Sequence, residues 1–136
     1  MTRTSSAPPE TPQRHKLPDD RLSITHEFVI GPERSAGVVT VGLYENGSPG
    51  EIFAKFDHLG SREGALLDAW CVMVSIGLQC GMPLSIVIDK FRGWTFDPSG
   101  MTMSPDIPFC SSTIDYIVRW LELRFLVRKG QSDDRP

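Results

Sequence analysis

The run Val38-Val39-Thr40-Val41-Gly42-Leu43-Tyr44-Glu45, then Asn46-Gly47-Ser48-Pro49-Gly50, then Glu51-Ile52-Phe53-Ala54-Lys55-Phe56-Asp57 decides the reading of the chain. Val39, Val41 and Leu43 alternate with smaller or polar residues, as do Ile52, Ala54 and Phe56, which is the period-two pattern of half-buried strands. The five residues between them are dense in turn formers, and Asn-Gly tolerates positive φ. The pattern predicts an antiparallel hairpin. Upstream, Ser23–Ile30 repeats the alternation through Ile24, Phe28 and Ile30, with His26 on the apolar side. Gly31-Pro32 ends it, so a three-stranded antiparallel meander is expected.

Downstream, Ser61 is placed to cap a long helix, with Glu63 in its first turn. It runs to about Cys80, where Gly81 and Pro83 supply a stop. Apolar residues nearly surround it: Ala65, Leu66, Leu67, Trp70, Val72, Met73, Val74, Ile76 and Leu78. Asp68, Ser75 and Gln79 form one narrow polar seam, either lining a site or facing solvent. Such a helix is expected to be central, packed on the sheet and against other helices or a partner. Leu84, Val87, Ile88 and Phe91 have helical spacing and predict a short helix opened by Pro83. A strand is the alternative, because Ile86, Val87 and Ile88 are β-branched. Residues 93–110 read as a loop rich in Pro, Gly and Ser, long enough to suggest function. The last helix is expected from about Ser111 to Val127, capped by Ser111 or Ser112, with Ile114, Ile117, Val118, Leu121 and Phe125 buried. Asp115 and Arg119 form an i,i+4 ion pair on it. The fold expected is α+β: the meander packed on a central apolar helix, with a short helix and a C-terminal helix.

Composition bounds the function. The chain has 136 residues, 40% hydrophobic and 23% charged, with a net charge of −3. Mean hydropathy is −0.16. No stretch approaches the roughly 18–20 apolar residues of a membrane span, and Met1–Pro9 lacks the apolar run of a secretory signal. The size excludes a cofactor barrel of about 250 residues. Residues 1–15 and 128–136 lack apolar periodicity and are expected to be disordered tails flanking one domain, 16–127. With both set aside, nine of the 14 basic and 14 of the 17 acidic residues remain, a net charge of −5. Arg119, Arg124, Arg128 and Lys129 are the densest basic group, and acids are interspersed among them. Nucleic-acid binding is therefore disfavoured.

Cys71, Cys80 and Cys110 form no C-x-x-C pair and are expected to be reduced, in the cytoplasm, without a metal. Cys71 and Cys80 are nine residues apart, about 900° on a helix, and so face opposite sides. His26 is the histidine expected inside a regular element. It reads as a ligand contact or general base, or as a sheet histidine bonded to a neighbour. Asp89 and Lys90 read as a ligand contact or as a solvated turn. No dinucleotide, Walker, G-x-S-x-G or H-E-x-x-H motif occurs, so no self-sufficient catalytic centre is encoded.

Lys16-Leu17-Pro18-Asp19-Asp20-Arg21, Ser23-Ile24-Thr25-His26, Gly42-Leu43-Tyr44-Glu45-Asn46-Gly47 and Pro49-Gly50-Glu51-Ile52-Phe53 follow one another in a characteristic order. Asp89-Lys90-Phe91, Phe96-Asp97-Pro98-Ser99-Gly100 and Asp115-Tyr116-Ile117-Val118-Arg119-Trp120-Leu121 complete the set. Together, over residues 16–127, they resemble the C-terminal, TSCPD-related region of adenosylcobalamin-dependent (class II) ribonucleotide reductase. The family's catalytic barrel, with its radical cysteine and its cobalamin and nucleotide sites, has no counterpart here, nor has its C-terminal pair of cysteines. The resemblance therefore implies no catalytic residue and no cofactor held by this chain, adenosylcobalamin belonging to the absent domain. It implies a stand-alone accessory domain of deoxyribonucleotide synthesis that binds a protein partner or small ligand. The alternative is the small subunit of a split reductase acting in trans. His26, Glu51, Asp89, Lys90, Asp115 and Arg119, all within these segments, are the candidates for ligand or partner contact. The expected partners are a class II reductase catalytic chain or a second copy of this chain.

Overall fold

The computed structural model describes Pro8 and residues 10–127. Strands β1 (Ser23–Ile30), β2 (Ser35–Leu43) and β3 (Pro49–Phe56) form one antiparallel sheet in the order β1-β2-β3. The meander read from the sequence is therefore present, with Val39 opposite Ala54 and Val41 opposite Ile52. Phe28, Ile30, Val39, Val41, Ile52 and Ala54 are buried on its inner face. β2 starts three residues before the expected Val38. Ser35, Ala36 and Gly37 carry no apolar alternation, but they pair with Ile30, Val29 and Phe28. Gly47, at φ 87°, closes the hairpin, and the Asn46 side chain accepts the Ser48 N–H at 3.0 Å.

Helix α1 (Ser61–Gln79) begins after Gly60 without a side-chain cap, so Ser61 is its first residue rather than its cap. Its end is a Schellman motif. Met82 N–H bonds the Gly77 carbonyl at 2.9 Å, Gly81 N–H bonds that of Leu78 at 3.1 Å, and Gly81 takes φ 98°. α1 runs along β3, the outer strand of the sheet, and this decides the polar seam. Ser75 Oγ accepts the Ile52 N–H at 2.9 Å and donates to the Cys71 carbonyl at 2.8 Å. Gln79 Nε2 donates to the Gly50 carbonyl at 2.9 Å. Lys55 meets Asp68 at 3.3 Å. Most of the seam, expected to line a site or face water, instead satisfies the backbone groups that an edge strand leaves unpaired. Leu67, Cys71 and Val74 go into the core. The rest of the apolar surface is not covered by other helices of the chain among the described residues: Leu66, Val72 and Met73 are 65%, 55% and 66% exposed.

Helix α2 (Leu84–Phe91) settles the helix-or-strand alternative, with Val87 and Ile88 buried. Pro83 precedes it as the capping residue. The segment read as a loop, residues 93–110, is fastened to the body. Strands β4 (Gly100–Met101) and β5 (Phe109–Cys110) pair, Thr102 bridges Ile30, and Ile107 is buried. Helix α3 (Thr113–Glu122) is capped by Ser112, whose hydroxyl accepts the Asp115 N–H at 3.0 Å. It stops short of the expected Val127 and passes into a π-helical turn, Leu123–Val127, where Phe125 meets Trp120 edge-on. α3 covers the inner face of the sheet: Tyr116, Ile117, Val118 and Leu121 are at most 2% exposed.

The tails expected at 1–15 and 128–136 lie, for residues 1–7, 9 and 128–136, outside the described residues. Arg14 and His15, assigned to the tail on composition, are held by Gln79: Arg14 Nε donates to its side chain at 2.7 Å and His15 N–H to its carbonyl at 2.9 Å. Cys71 and Cys110 are buried free thiols, pushed by that burial up to about 12 and about 11 respectively. At neutral pH they behave as small apolar side chains.

Candidate functional site

Alternation on β1 sends His26 to the inner face, where α3 meets it. His26 Nε2 lies 2.9 Å from the Tyr116 hydroxyl, and its ring stacks on Trp120 with centroids 4.9 Å apart at 9°. Phe28 extends the stack, 4.5 Å from Tyr116. Burial lowers the imidazole below its usual range, and the Arg124 charge adds to this. Burial also pushes the Tyr116 phenol up. At neutral pH a neutral Tyr116 hydroxyl and an uncharged imidazole therefore share this hydrogen bond, the ring tautomer setting which of them donates. This geometry makes His26 part of an aromatic seam between sheet and helix, and among the described residues no carboxylate is hydrogen-bonded to it.

The lowered value sets a pH dependence. An unfolded chain binds more protons than the folded one below the ordinary histidine value of about 6.5, so stability is full above that pH and falls as pH drops through it. The melting temperature of the wild type is expected to fall from pH 7.5 to pH 5, and that of His26→Gln to fall less. Parallel curves would remove His26 as the source.

Asp115 and Arg119 come together as the sequence predicts, at 3.0 Å, but not as a surface pair. Asp115 is 0% exposed. One of its oxygens takes the Gly93 N–H at 2.7 Å as well as Arg119, and the other takes the Ser111 N–H at 2.8 Å. Burial alone pushes its carboxyl up. The Ser111 and Gly93 N–H groups and the Arg119 guanidinium outweigh that and hold it below the usual carboxylate range. Asp115 thereby straps residues 93–96 to the start of α3. Ser112 adds a bond from its hydroxyl to the Trp94 carbonyl at 2.6 Å, and Phe96 N–H bonds the Ser111 carbonyl at 3.1 Å.

The other candidates are elsewhere. Glu51 pairs with Arg21 at 2.5 Å beside the hairpin. Asp89 and Lys90 are exposed near the end of α2. Among the described residues, no pair of the six candidates other than Asp115 and Arg119 is joined by a side-chain hydrogen bond.

The strap builds a feature that residue patterns did not single out. A recess of about 300 Å³ opens between α1, residues 94–98 and α3, walled by Leu66, Trp94, Phe96 and Ile114, and its charged lining residues are Glu63 and Asp97. The available signal was the pair Trp94 and Phe96 inside a Pro/Gly-rich segment flanked by Asp97. A larger, shallower recess of about 630 Å³ lies by the hairpin turn and Arg124. His26, the histidine nearest the core, is engaged by Tyr116. Among the described residues no three His, Cys, Asp or Glu side chains are grouped to hold a metal ion. No helix among them is long and apolar enough to cross a membrane.

Fold and site together define a small α+β domain with a carboxylate-anchored aromatic core and an outward apolar helix face. The TSCPD domain family matches residues 10–125, and the chain belongs to that family. It is 41% identical over 115 residues to a vitamin B12-dependent ribonucleotide reductase of Rhodopirellula baltica, covering 85% of this chain and 11% of that protein. It is 40% identical to that of Streptomyces avermitilis, covering 12% of it, and 32% identical to that of Bradyrhizobium diazoefficiens, covering 9%. The chain thus spans about a tenth of the length of these relatives. No solved structure matches it.

Proposed function

We propose that this domain is a non-catalytic docking unit of deoxyribonucleotide synthesis, working in the cytoplasm, whose partner is the catalytic chain of a vitamin B12-dependent ribonucleotide reductase. The observation that carries the docking role is the outer face of α1. Ala65, Leu66, Ala69, Val72 and Met73 are all exposed there, within one continuous arc of the helix. The other face of α1 already accounts for its attachment to β3, so the fold itself does not require this apolar surface. Contiguous exposed apolar surface on a small domain marks an interface. The choice of partner rests on the likeness to reductases over 85% of this chain.

The purified chain, mixed with the catalytic chain of such a reductase from the same host, is expected to form a complex at micromolar concentration by size-exclusion chromatography. Leu66→Asp combined with Met73→Asp is expected to weaken it at least about tenfold, with an unchanged circular dichroism spectrum. Absence of a complex removes the reductase as partner. A homodimer by light scattering that the same double substitution dissolves reassigns the face to a second copy.

A further inference from the structure

We propose that the recess between α1, residues 94–98 and α3 receives an arginine side chain of a protein partner. The inference deepens the docking reading above and takes its choice of a protein ligand from it. Leu66 belongs both to the exposed face of α1 and to the wall of the recess. A partner lying on that face therefore has a side chain's reach into the recess.

The chemistry of the lining selects the side chain. Trp94 and Phe96 are 50% and 41% exposed, large aromatic surfaces left open to an incoming group. The charged groups beside them, Glu63 and Asp97, are both acidic, and neither enters an ion pair with another described residue. A planar guanidinium satisfies both features at once. It stacks on aromatic faces while its N–H donors reach carboxylates, and its aliphatic stem packs on apolar walls. An anion would face two like charges, and a purely apolar group would leave both carboxylates to be desolvated without compensation. The net charge of −5 over residues 16–127 favours a cationic partner at longer range.

The site is built before a ligand arrives. Trp94 and Phe96 are not on a free loop. Asp115 binds Gly93, Ser112 binds Trp94 and Ser111 binds Phe96. Phe91 flanks Trp94 with ring centroids 5.0 Å apart. Walls fixed in this way cost little further ordering when a side chain enters. Asp115 is in this respect a positioning residue: it holds the wall and does not touch the guest.

The test uses N-acetyl-arginine amide and its neutral near-isostere N-acetyl-citrulline amide, titrated into the full chain by ¹H–¹⁵N NMR. The arginine probe is expected to shift the Trp94 indole N–H saturably, together with the amides of Leu66 and Ile114. It is expected to bind about three- to tenfold more tightly than citrulline. Glu63→Gln with Asp97→Asn, both exposed positions, is expected to reduce it to the citrulline level while the spectrum stays folded. Equal binding of the two probes, or saturable shifts that bypass Trp94, overturns the inference. The two readings fail separately. A reductase complex that Glu63→Gln/Asp97→Asn leaves unaltered sinks the arginine site and spares the docking role. Selective arginine binding by a chain that no reductase retains does the reverse.

Discussion

Replacing Asp115 by alanine is expected to cost about 3–5 kcal/mol of folding stability. The carboxylate is fully buried and accepts bonds from Gly93, Ser111 and Arg119. Its loss leaves the Gly93 and Ser111 N–H groups without their acceptor and the partly exposed Arg119 guanidinium without its counter-charge. The segment carrying Trp94 and Phe96 then loses one of its anchors. Asp115→Asn keeps the shape and one acceptor oxygen but turns the other acceptor into an N–H donor facing a donor, so it is expected to fall between wild type and alanine. The pH dependence carries a second signature. A carboxylate held below its unfolded value stabilises the fold above that value, near 4, and the contribution is lost as pH falls through the lower, folded value. Wild type is therefore expected to lose stability in this acid window and Asp115→Ala to lose less, separately from the histidine effect that begins near pH 6.5. Chemical denaturation at pH 7 and pH 3 measures both. A cost below about 1 kcal/mol at pH 7 would place Asp115 among ordinary surface pairs.

Gly37→Val is expected to destabilise the fold by about 2–3 kcal/mol, the range of overpacked cores. Gly37 is buried in the middle strand, and its cross-strand neighbours are Phe28 on one side and Phe56 on the other. Their rings close over it, with centroids 6.0 Å apart. A Cβ at this position would sit 2.5 Å from Phe56 Cδ1 and 2.7 Å from Phe28 Cζ. Phe28 has little room to yield, being 4% exposed and stacked on Tyr116. Phe56 is half-buried and is the ring that can move. Gly37→Ala is therefore expected to cost less than Gly37→Val. In the double variant with Phe56→Ala, the valine is expected to cost markedly less than it does alone. An additive result in that cycle would show that the clash is not with Phe56.

The secondary structure was legible because it rests on local pattern. Alternation marked all three strands, and Asn46-Gly47 marked the hairpin. Gly81 and Ser112 marked a helix end and a helix start, and Leu84, Val87, Ile88 and Phe91 marked α2. Boundaries slipped where small residues such as Ser35–Gly37 pair without an apolar signal. The long helix left an alternative open: its apolar residues predict packing on the sheet and against other helices or a partner, and which of these covers each residue depends on what neighbours it. With β3 at the edge of the sheet, α1 packs mainly on that strand, with Trp70 against Phe91 of α2, and leaves Leu66, Val72 and Met73 outside.

The same division holds for the candidate site. The i,i+4 spacing of Asp115 and Arg119 is a local property and was read correctly, as was the apolar side of His26. Asp115 as a hub for residues 93 and 111, Gln79 and Ser75 as partners of an edge strand, and Trp94 and Phe96 as walls of a recess depend on contacts between distant segments. The identities of the chain determine which residues prefer strand, helix or turn, because those preferences act over a few neighbouring positions. Only the tertiary structure decides which polar groups are desolvated together and which apolar groups are left to water. That outcome depends on how β3, α1, α3 and the segment between α2 and α3 exclude solvent from one another.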